Sequence, residues 1–440
     1  MLLEFKTKNY KSFYEETIFS MIPAPKQKGL DYSVFVQKIK NKNFKSLSSS
    51  VVYGPNASGK TNIIGAMDTF RSIVLRGNIR NSEEKASPNI ASHSLELIPN
   101  NKFSEAPVSF SISFIENSLK VDYTVSMNLG LFMDDEAKRT IVNETLKVND
   151  KLVFDRSKDN FILNQNHIKQ YVSKIILRQS SEDIIEMILN SLNEEELFLT
   201  NGFKLIISQQ LALEITDWFK NKLMVIYRAD ALQIIRRFVD PQKKTIYVEE
   251  TTNSAAKEFG ISSNALGYIQ SDDDTEAKLC SLFTDIQTGE TEILAADIYE
   301  SYGTIRFINI FPLVIRAILN GGTLVVDEFD ASIHPTALIS IINIFHNDDI
   351  NKKGAQLVFN THNPVFLNSN LFRRDEIKFV ERDENSGSVL YSLSDFGTTG
   401  NSGVRKHEDY MKNYFISRYG GIKDVDFTSV FEKLLEKEGE

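Results

Sequence analysis

The sequence is poor in features that mark secreted, metal-cluster and nucleic-acid-coating proteins. It has one cysteine, Cys280, in 440 residues, which excludes an intrachain disulfide and a cysteine-based metal cluster. We expect Cys280 to be a small buried apolar side chain. The formal net charge of -9 argues against a coat of lysine and arginine for nucleic acid. The stretch KIKNKNFK at 38–45 could form a local basic face, and an exposed strand with solvated lysines is the simpler interpretation.

Long hydrophobic runs are also missing. The longest, FINIFPLVIRAIL at 307–319, contains Pro312 and Arg316 and is shorter than the roughly 20 residues that span a bilayer. The opening MLLEFKTKNYKSF is interrupted by charge, unlike a signal peptide. No segment sustains apolar heptads, so a long coiled coil is not expected. These absences together predict a cytoplasmic protein.

The apolar periodicity changes along the chain and predicts four segments. They are the N-terminal part of an α/β core at 1–77, an antiparallel β-rich subdomain at 78–166, a helical lobe at 167–298, and the C-terminal part of the core at 299–440. The β-rich assignment rests on period-two alternation between 106 and 165, after a polar loop at 78–94. Residues 1–20 also alternate and predict a pair of strands.

Helical patterns in the middle and strand patterns at the end complete the fold prediction. Three stretches are typical of helices: EDIIEMILNSL at 182–192, LALEITDWFKNKLMVIY at 211–227 and DTEAKLCSLFTDIQ at 274–287. After residue 300 the runs GTLVVDEFD, AQLVFNTHNP and DEIKFVERD are typical of strands, and the helical PTALISIINIFHN separates the first two. Crossover helices between strands indicate a parallel sheet. The predicted class is α/β, with a parallel core sheet, an antiparallel β subdomain and a helical insertion.

The first chemical motif is VVYGPNASGKTN at 51–62. A buried strand ends at Tyr53, and the next eight residues match the phosphate-loop pattern G-x-x-x-x-G-K-[ST]. Glycines let several backbone N–H groups converge on one phosphate, and a helix N-terminus adds its positive dipole. The lysine would reach the β- and γ-phosphates and the threonine would hold Mg²⁺. The predicted nucleotide-binding residues are Gly54, Asn56, Ser58, Gly59, Lys60 and Thr61.

An acidic motif follows a second buried strand. GGTLVVDEFDASIHP at 321–335 places Asp327 at the carboxyl end of the apolar run, where open α/β sheets bind ligands. Asp327 would complete the Mg²⁺ site with Thr61. Glu328 would orient and deprotonate the attacking water. The alternative for this pair is a strand that ends in solvated acids, and the phosphate loop disfavours it.

A third strand ends in LVFNTHNP at 357–364. His362 at its tip could hydrogen-bond the γ-phosphate and respond to hydrolysis. A purely structural histidine is the alternative.

The stretch YESYGTIRF at 299–307 opens an apolar helix. Ser301, Gly303 and Thr304 offer a hydroxyl and free helix N-terminal amides, which suit a phosphate. Because the chain already has a phosphate loop, this second site makes sense if it serves the nucleotide of another subunit. An ordinary N-cap is the alternative, and the residues alone favour it slightly.

The order of these motifs resembles the ATPases of the ABC/SMC/RecF superfamily. The phosphate loop comes first, followed by SYGT, LVVDEFDASIHP and NTHNP, and the opening KNYKSF is similar to the NFKSF start of those heads. Over 1–75 and 295–422 the chain resembles in particular the stand-alone AAA-type ATPases of abortive-infection and restriction-linked loci, such as RloA-like proteins. Those end in stretches similar to DEIKFVERDENSGSVLYSLSDF and YMKNYFISRYGGI.

The resemblance implies roles for individual residues. Ser301 and Gly303 would contact the γ-phosphate of the second subunit, His362 would be the switch histidine, and Lys11 would approach a phosphate. The loop across the dimer axis would consist of Asp330, Ala331 and Ser332. The signature departs from the fuller Ser-Gly-Gly-Gln form, and no glutamine after the first helix can be assigned to the Q-loop.

The resemblance also implies a function. The implied function is ATP hydrolysis with bound ATP and Mg²⁺. The implied assembly is a dimer of heads, arranged head to tail around two nucleotides, or a higher oligomer. Such a head would regulate a separate effector, a nuclease or toxin, in anti-phage defence, with nucleic acid or a phage protein as trigger and no membrane partner. The alternatives are an SMC/RecF-like repair ATPase, which needs coiled-coil arms, a transporter subunit, which carries the fuller signature, and an OLD-like nuclease. Fewer than 80 residues follow His362, which is short for a fused nuclease, so an OLD-like ATPase would work with a separate one.

Overall fold

The computed structural model describes most of the chain. The described residues are 1–25, 27, 29–80, 95–103, 105–130, 138–157, 160–189, 191–227, 245–270, 277–285, 287–398, 403–405, 408–423 and 426–438. Most of the predicted polar loop at 78–94, namely 81–94, lies outside them.

Runs of strands are interspersed with helices along the chain. The strands are β1 Leu2–Lys8, β2 Thr17–Ser20, β3 Val34–Ile39, β4 Lys42–Leu47, β5 Ser49–Tyr53, β6 Val108–Glu116, β7 Leu119–Asn128, β8 Thr140–Val148, β9 Lys151–Ser157, β10 Phe161–Leu163, β11 Leu223–Ile226, β12 Thr245–Tyr247, β13 Ala265–Ile269, β14 Lys278–Thr284, β15 Thr291–Ala295, β16 Thr323–Val326, β17 Gln356–Asn360, β18 Ile377–Arg382 and β19 Ser388–Ser392. The helices are α1 Lys60–Arg76, α2 Ser181–Leu189, α3 Gln209–Asp217, α4 Glu250–Phe259, α5 Ala296–Tyr299, α6 Tyr302–Asn320, α7 Pro335–His346, α8 Tyr410–Phe415 and α9 Thr428–Glu438.

A six-stranded sheet in the order β11-β16-β17-β5-β18-β19 forms the centre of the molecule. The strands from β11 to β18 pair in parallel, and β19 returns antiparallel to β18. Every residue of β5, β16 and β17 is buried, as expected for apolar strands covered on both faces. The predicted parallel core sheet is confirmed. Because β17 lies between β5 and β16, the loops that follow these strands meet at one edge.

A second, antiparallel sheet has seven strands in the order β10-β9-β8-β7-β6-β1-β2. The predicted antiparallel pairing at 106–165 and the predicted strand pair at 1–20 are therefore both confirmed, and the two regions share one sheet. Helix α1 packs against it through Phe70, whose ring lies 5.6 Å from Phe110 and 5.9 Å from Tyr123. This aromatic contact seats the helix that follows the phosphate loop.

Two of the predicted helices in the middle of the chain are wrong in part. In the stretch 211–227 helix α3 is continued by a π-helical turn at Trp218–Lys222, and β11 then joins the edge of the core sheet beside β16. In the stretch 274–287 the structure has β14, which pairs with β13 on one side and β15 on the other. Short apolar runs fit both the helical and the strand period, so long-range pairing decided these segments. The predicted helix at 182–192 is present as α2.

Helix α6 is the long apolar helix of the C-terminal half. It begins at Tyr302, earlier than the apolar run alone indicated, and it contains Pro312. Among the described helices it is the one whose length and hydropathy would suffice to cross a membrane, and half of that window is buried inside the protein. The helix packs on α4 and β16, as a core helix does.

Two minor predictions are confirmed. The lysines of 38–45 lie on the exposed side of the β3–β4 hairpin, and Lys42 pairs with Asp150 at 2.9 Å. Cys280 is buried on β14.

Candidate functional site

The phosphate-type loop leaves β5 and leads directly into α1, which begins at Lys60. Gly59 occupies the N-cap position with φ of 115°. A Cβ at Gly59 would lie 2.3 Å from Ser388 Oγ and 2.8 Å from Ser12 Oγ. Both the backbone conformation and the crowding therefore require glycine at this position.

The Lys60 ammonium contacts the backbone of the phosphate-type loop. It donates to the carbonyl oxygens of Gly54 at 2.8 Å and Pro55 at 3.0 Å. Burial lowers its pKa to about 8, and the charges of Asp327 and Glu328 oppose this shift. The buried Ser58 hydroxyl has no hydrogen-bond partner within the described residues. The loop thus holds a desolvated cation and an unused hydroxyl, a combination that suits an anion.

Thr61 and Asp327, predicted as metal ligands, are brought together. The Thr61 hydroxyl donates to Asp327 Oδ1 at 3.0 Å, and Asn360 Nδ2 donates to the same oxygen at 2.6 Å. The sequence analysis missed Asn360, which is buried at the last position of β17. Its signal was a polar amide that ends an apolar strand, two positions before His362.

Glu328 has an exposed side chain on a restrained backbone. Its φ is 48°, in the left-handed region that non-glycine residues rarely occupy. Its N–H donates to Asn360 Oδ1, and its carbonyl oxygen accepts from Arg306 Nη2. Strained backbone of this kind persists where surrounding contacts over-determine it, and it is common at active sites.

His362 lies at the same edge of the sheet. Its side chain is exposed, two residues beyond the end of β17. Partial burial and the nearby Lys60 charge lower the pKa of His362, against the opposing charges of Asp330 and Asp327. The histidine is thus within electrostatic reach of both the loop and the acidic pair.

Ser301 is the N-cap of α6, and Gly303 and Thr304 lie in its first turn. The Ser301 hydroxyl accepts from Thr304 N at 3.1 Å and lies 2.8 Å from Thr304 Oγ1. A Cβ at Gly303 would lie 2.0 Å from the carbonyl oxygen of Ser332. These contacts lie within α6 and with the 330–332 loop. No hydrogen bond among the described residues joins them to the loop Gly54–Thr61 of the same chain.

Lys11 lines the same cavity as loop residues 55–58. Its ammonium forms an ion pair with Glu96 and lies 3.1 Å from the Tyr227 hydroxyl. A carboxylate therefore already balances the charge that the resemblance assigned to a phosphate.

The hairpin of β18 and β19 braces the outer side of the loop, which the sequence analysis missed. Arg382 Nε donates to the carbonyl of Ala57 at 2.9 Å. Ser388 Oγ donates to the carbonyl of Ser58 and lies 2.7 Å from Ser12 Oγ. Beside these contacts lies a cavity of about 830 Å³, lined by loop residues 55–58 and by the segments 98–102 and 381–387 among others.

No curated protein matches the chain. Among solved structures, it is similar to the SMC head domain from Thermotoga maritima, with 12% identity and a TM-score of 0.34 over 89% of this chain and 98% of that one. It is also similar to an SMC head bound to the C-terminal winged-helix domain of ScpA, with 13% identity, a TM-score of 0.40 and coverage of 89% and 98%. An SMC head of Pyrococcus furiosus bound to the C-terminal domain of ScpA is also similar. Its identity is 13% and its TM-score is 0.37, over 89% of this chain and 96% of that one.

These structural likenesses are too weak to bear on function. The family comparison is more direct, because residues 49–368 span the loop, the acidic pair and the histidine strand. That stretch, well over half of the chain, matches the family described as "AAA domain, putative AbiEii toxin, Type IV TA system", and the chain belongs to this family.

Proposed function

We propose that this protein is a Mg²⁺-dependent ATPase. The observation that carries the proposal is the meeting of three groups at the ends of three adjacent parallel strands. Lys60 follows β5, the Asp327–Glu328 pair follows β16, and Asn360 ends β17 between them. Open α/β sheets bind ligands at this edge.

The residues fit a triphosphate and a magnesium ion. Lys60 and the orphaned Ser58 hydroxyl would bind phosphate oxygens, with the N–H groups at the start of α1. The Thr61 hydroxyl and Asp327 carboxylate, 3.0 Å apart, are the oxygen ligands that Mg²⁺ prefers beside water and phosphate. When bound, the ion would neutralise charge on the phosphates. The neighbouring cavity is large enough for the nucleoside.

Glu328 would act as the general base. Its carboxylate would accept a proton from water as the water oxygen forms a bond to the γ-phosphorus. The bond to the bridging oxygen breaks, and ADP leaves with that electron pair. His362 would hydrogen-bond the γ-phosphate and report its loss.

A second copy would complete the site. Ser301, Gly303 and Thr304 do not bond to the chain's own loop, and the N-terminus of α6 is suited to an anion. Ile298 and Tyr302 on either side of Ser301 are 83% and 56% exposed. We therefore propose a head-to-tail dimer, with Asp330, Ala331 and Ser332 at its axis.

The output would be a change in a separate protein. ATP clamps two heads and hydrolysis releases them, which gives a two-state element. The family description names a toxin and a type IV toxin–antitoxin system. We propose that the dimer regulates a nuclease or toxin in anti-phage defence in the cytoplasm, and that contact with it lies in 78–300. An SMC/RecF-like repair role is disfavoured, because the longest helix in the described residues has 19 residues.

The central test compares Glu328→Gln with Lys60→Ala. The first should lower turnover by ~10²–10⁴-fold yet keep ATP binding, so that light scattering detects an ATP-bound dimer. The second should lose nucleotide binding itself. Turnover of Glu328→Gln within about a factor of two of wild type would reject the base assignment.

The shared site is tested by mixing two inactive variants. Ser301→Arg and Lys60→Ala together should regain partial ATPase activity, since each heterodimer has one intact composite site. Absence of recovery in a proven heterodimer would count against the trans arrangement.

The proposed division of labour is tested during phage infection. The chain should protect cells only together with its genomic neighbour, and Lys60→Ala should abolish protection. Protection or nucleic-acid cleavage by the chain alone, lost through changes outside the ATP site, would overturn this part of the proposal.

A further inference from the structure

Arg306 is a buried cation that the proposed chemistry has not used. It lies on α6, is 4% exposed, and donates through Nη2 to the carbonyl oxygen of Glu328. Its Nε and Nη1 atoms have no hydrogen-bond partner in the described part of the chain. Burying a guanidinium with most of its donors unused is costly, so this position requires an explanation.

The carbonyl that Arg306 holds belongs to a strained residue. Glu328 has φ of 48°, and its peptide N–H is bound by Asn360. Two different elements therefore hold the Glu328 backbone, β17 through its N–H and α6 through its carbonyl. Such contacts can hold a strained backbone conformation that the chain would not otherwise adopt. The direction of the carboxylate depends on that conformation.

The same helix carries the cap that would meet the second nucleotide. Gly303 of α6 packs on the carbonyl of Ser332, and Arg306 follows one turn later. A shift of α6 at Ser301 would therefore reach Glu328 directly through the guanidinium. This coupling requires that α6 move as a rigid helix and that the hydrogen bond from Arg306 to the Glu328 carbonyl persist.

We propose that Arg306 is a positioning residue that sets the Glu328 carboxylate for hydrolysis and links it to the capped start of α6. The inference rests on the proposed role of Glu328 as general base. Arg306 acts through Glu328 and contacts neither nucleotide nor metal.

The test measures Arg306→Met and Arg306→Lys in the wild-type and Glu328→Gln backgrounds. Losing a hydrogen bond to a charged donor should lower kcat by roughly 10- to 100-fold. The KM for ATP and the ATP affinity should change by less than about three-fold. In the Glu328→Gln background the same substitutions should cause no further loss, because residues that act through one another are not additive. Arg316→Met, exposed on the same helix, is the control and should be neutral.

The outcomes separate the two proposals. Wild-type turnover of Glu328→Gln would reject the proposed role of Glu328 as general base, whatever Arg306 does. An impaired Glu328→Gln enzyme with unchanged kcat in both Arg306 variants would overturn only the present inference. So would an equal fold-loss in both backgrounds, which a merely structural role predicts. If Arg306→Met fails to fold, Arg306→Lys retains the cation and decides between these results.

Discussion

Asn360 joins the two acids of the site in one side chain. Its amide nitrogen donates to Asp327 at 2.6 Å while its amide oxygen accepts from the Glu328 backbone. An amide can do both at once, whereas a carboxylate has no donor and an ammonium group has no acceptor. Asn360 thus sets the distance between Asp327, the proposed metal ligand, and Glu328, the proposed base.

Asn360→Ala should therefore damage catalysis more than folding. Loss of a charge-assisted hydrogen bond costs about 1.5–3 kcal/mol, so we expect kcat to fall by roughly ten-fold or more. Steady-state ATPase assays and thermal unfolding measure the two effects. Asn370→Ala, at an exposed position, is the matched control. Turnover unchanged by Asn360→Ala would show that the acids hold their places without the amide.

Lys378 makes stability depend on pH. Burial lowers its pKa to about 8, against the opposing charges of Asp375, Glu376 and Asp395. Between about pH 8 and the ordinary value of 10.5 the native protein has lost this proton and the unfolded chain retains it. The free energy of unfolding should thus rise with pH across that window and show no such contribution below it.

The check is urea unfolding of wild type and Lys378→Met at about pH 7 and about pH 9.5. The variant should show a smaller rise, and part of the rise should remain because the pKa of Lys60 is lowered in the same direction. Identical pH dependence in both proteins would contradict this role of Lys378.

At the scale of elements, α6 packs tightly against the 330–332 loop. A Cβ on Gly303 would lie 2.0 Å from the Ser332 carbonyl, so one of the two must move. Overpacking of this kind costs about 1–3 kcal/mol. Gly303→Ala should lower both the melting temperature and ATP turnover. Gly397→Ala makes the same chemical change where nothing lies within 4 Å and should be silent.

The β18–β19 hairpin is a second element that bears on the site. Ser388 bonds to the Ser58 carbonyl and to Ser12, so the hairpin holds the loop in its binding shape. Ser388→Ala should weaken ATP affinity by about two- to ten-fold, the equivalent of one neutral hydrogen bond. Titration with a fluorescent nucleotide measures this. Ser254→Ala at an exposed position of α4 should bind as wild type does, and equal affinities of the two variants would argue against the brace.

At the scale of the whole molecule, the site joins distant parts of the chain. Lys60 comes from the first part, and Asp327 and Asn360 come from the last. The described contacts also link the first segment to β6–β10 through β1 and link the predicted helical lobe to β16 through β11. The four-segment division stays a prediction. Strands from different predicted segments pair within the same sheets.

Nucleotide should therefore stabilise the whole chain. Ligand at about 100 times its Kd adds about 2.7 kcal/mol to the free energy of unfolding. ATP with Mg²⁺ should raise the melting temperature of wild type and of Glu328→Gln, and leave Lys60→Ala unchanged. A shift of equal size in Lys60→Ala would place nucleotide binding elsewhere.

The sequence by itself determined the phosphate loop, the acidic pair and the parallel core. Each of these is a contiguous run, and its conformation follows from neighbours along the chain: glycines before a helix, or acids directly after a buried strand. The start of α6 at its serine cap belongs to the same class, since capping is a local interaction.

Only the tertiary structure decided which distant side chains meet those motifs. Asn360, Arg306 and Ser388 acquire their partners through the order of strands and the packing of α6, which no local pattern encodes. The same cause turned part of the predicted helix at 274–287 into β14, because partners on both sides outweigh the weak preference of a short apolar run. It also paired Lys11, which the resemblance had placed near a phosphate, with Glu96.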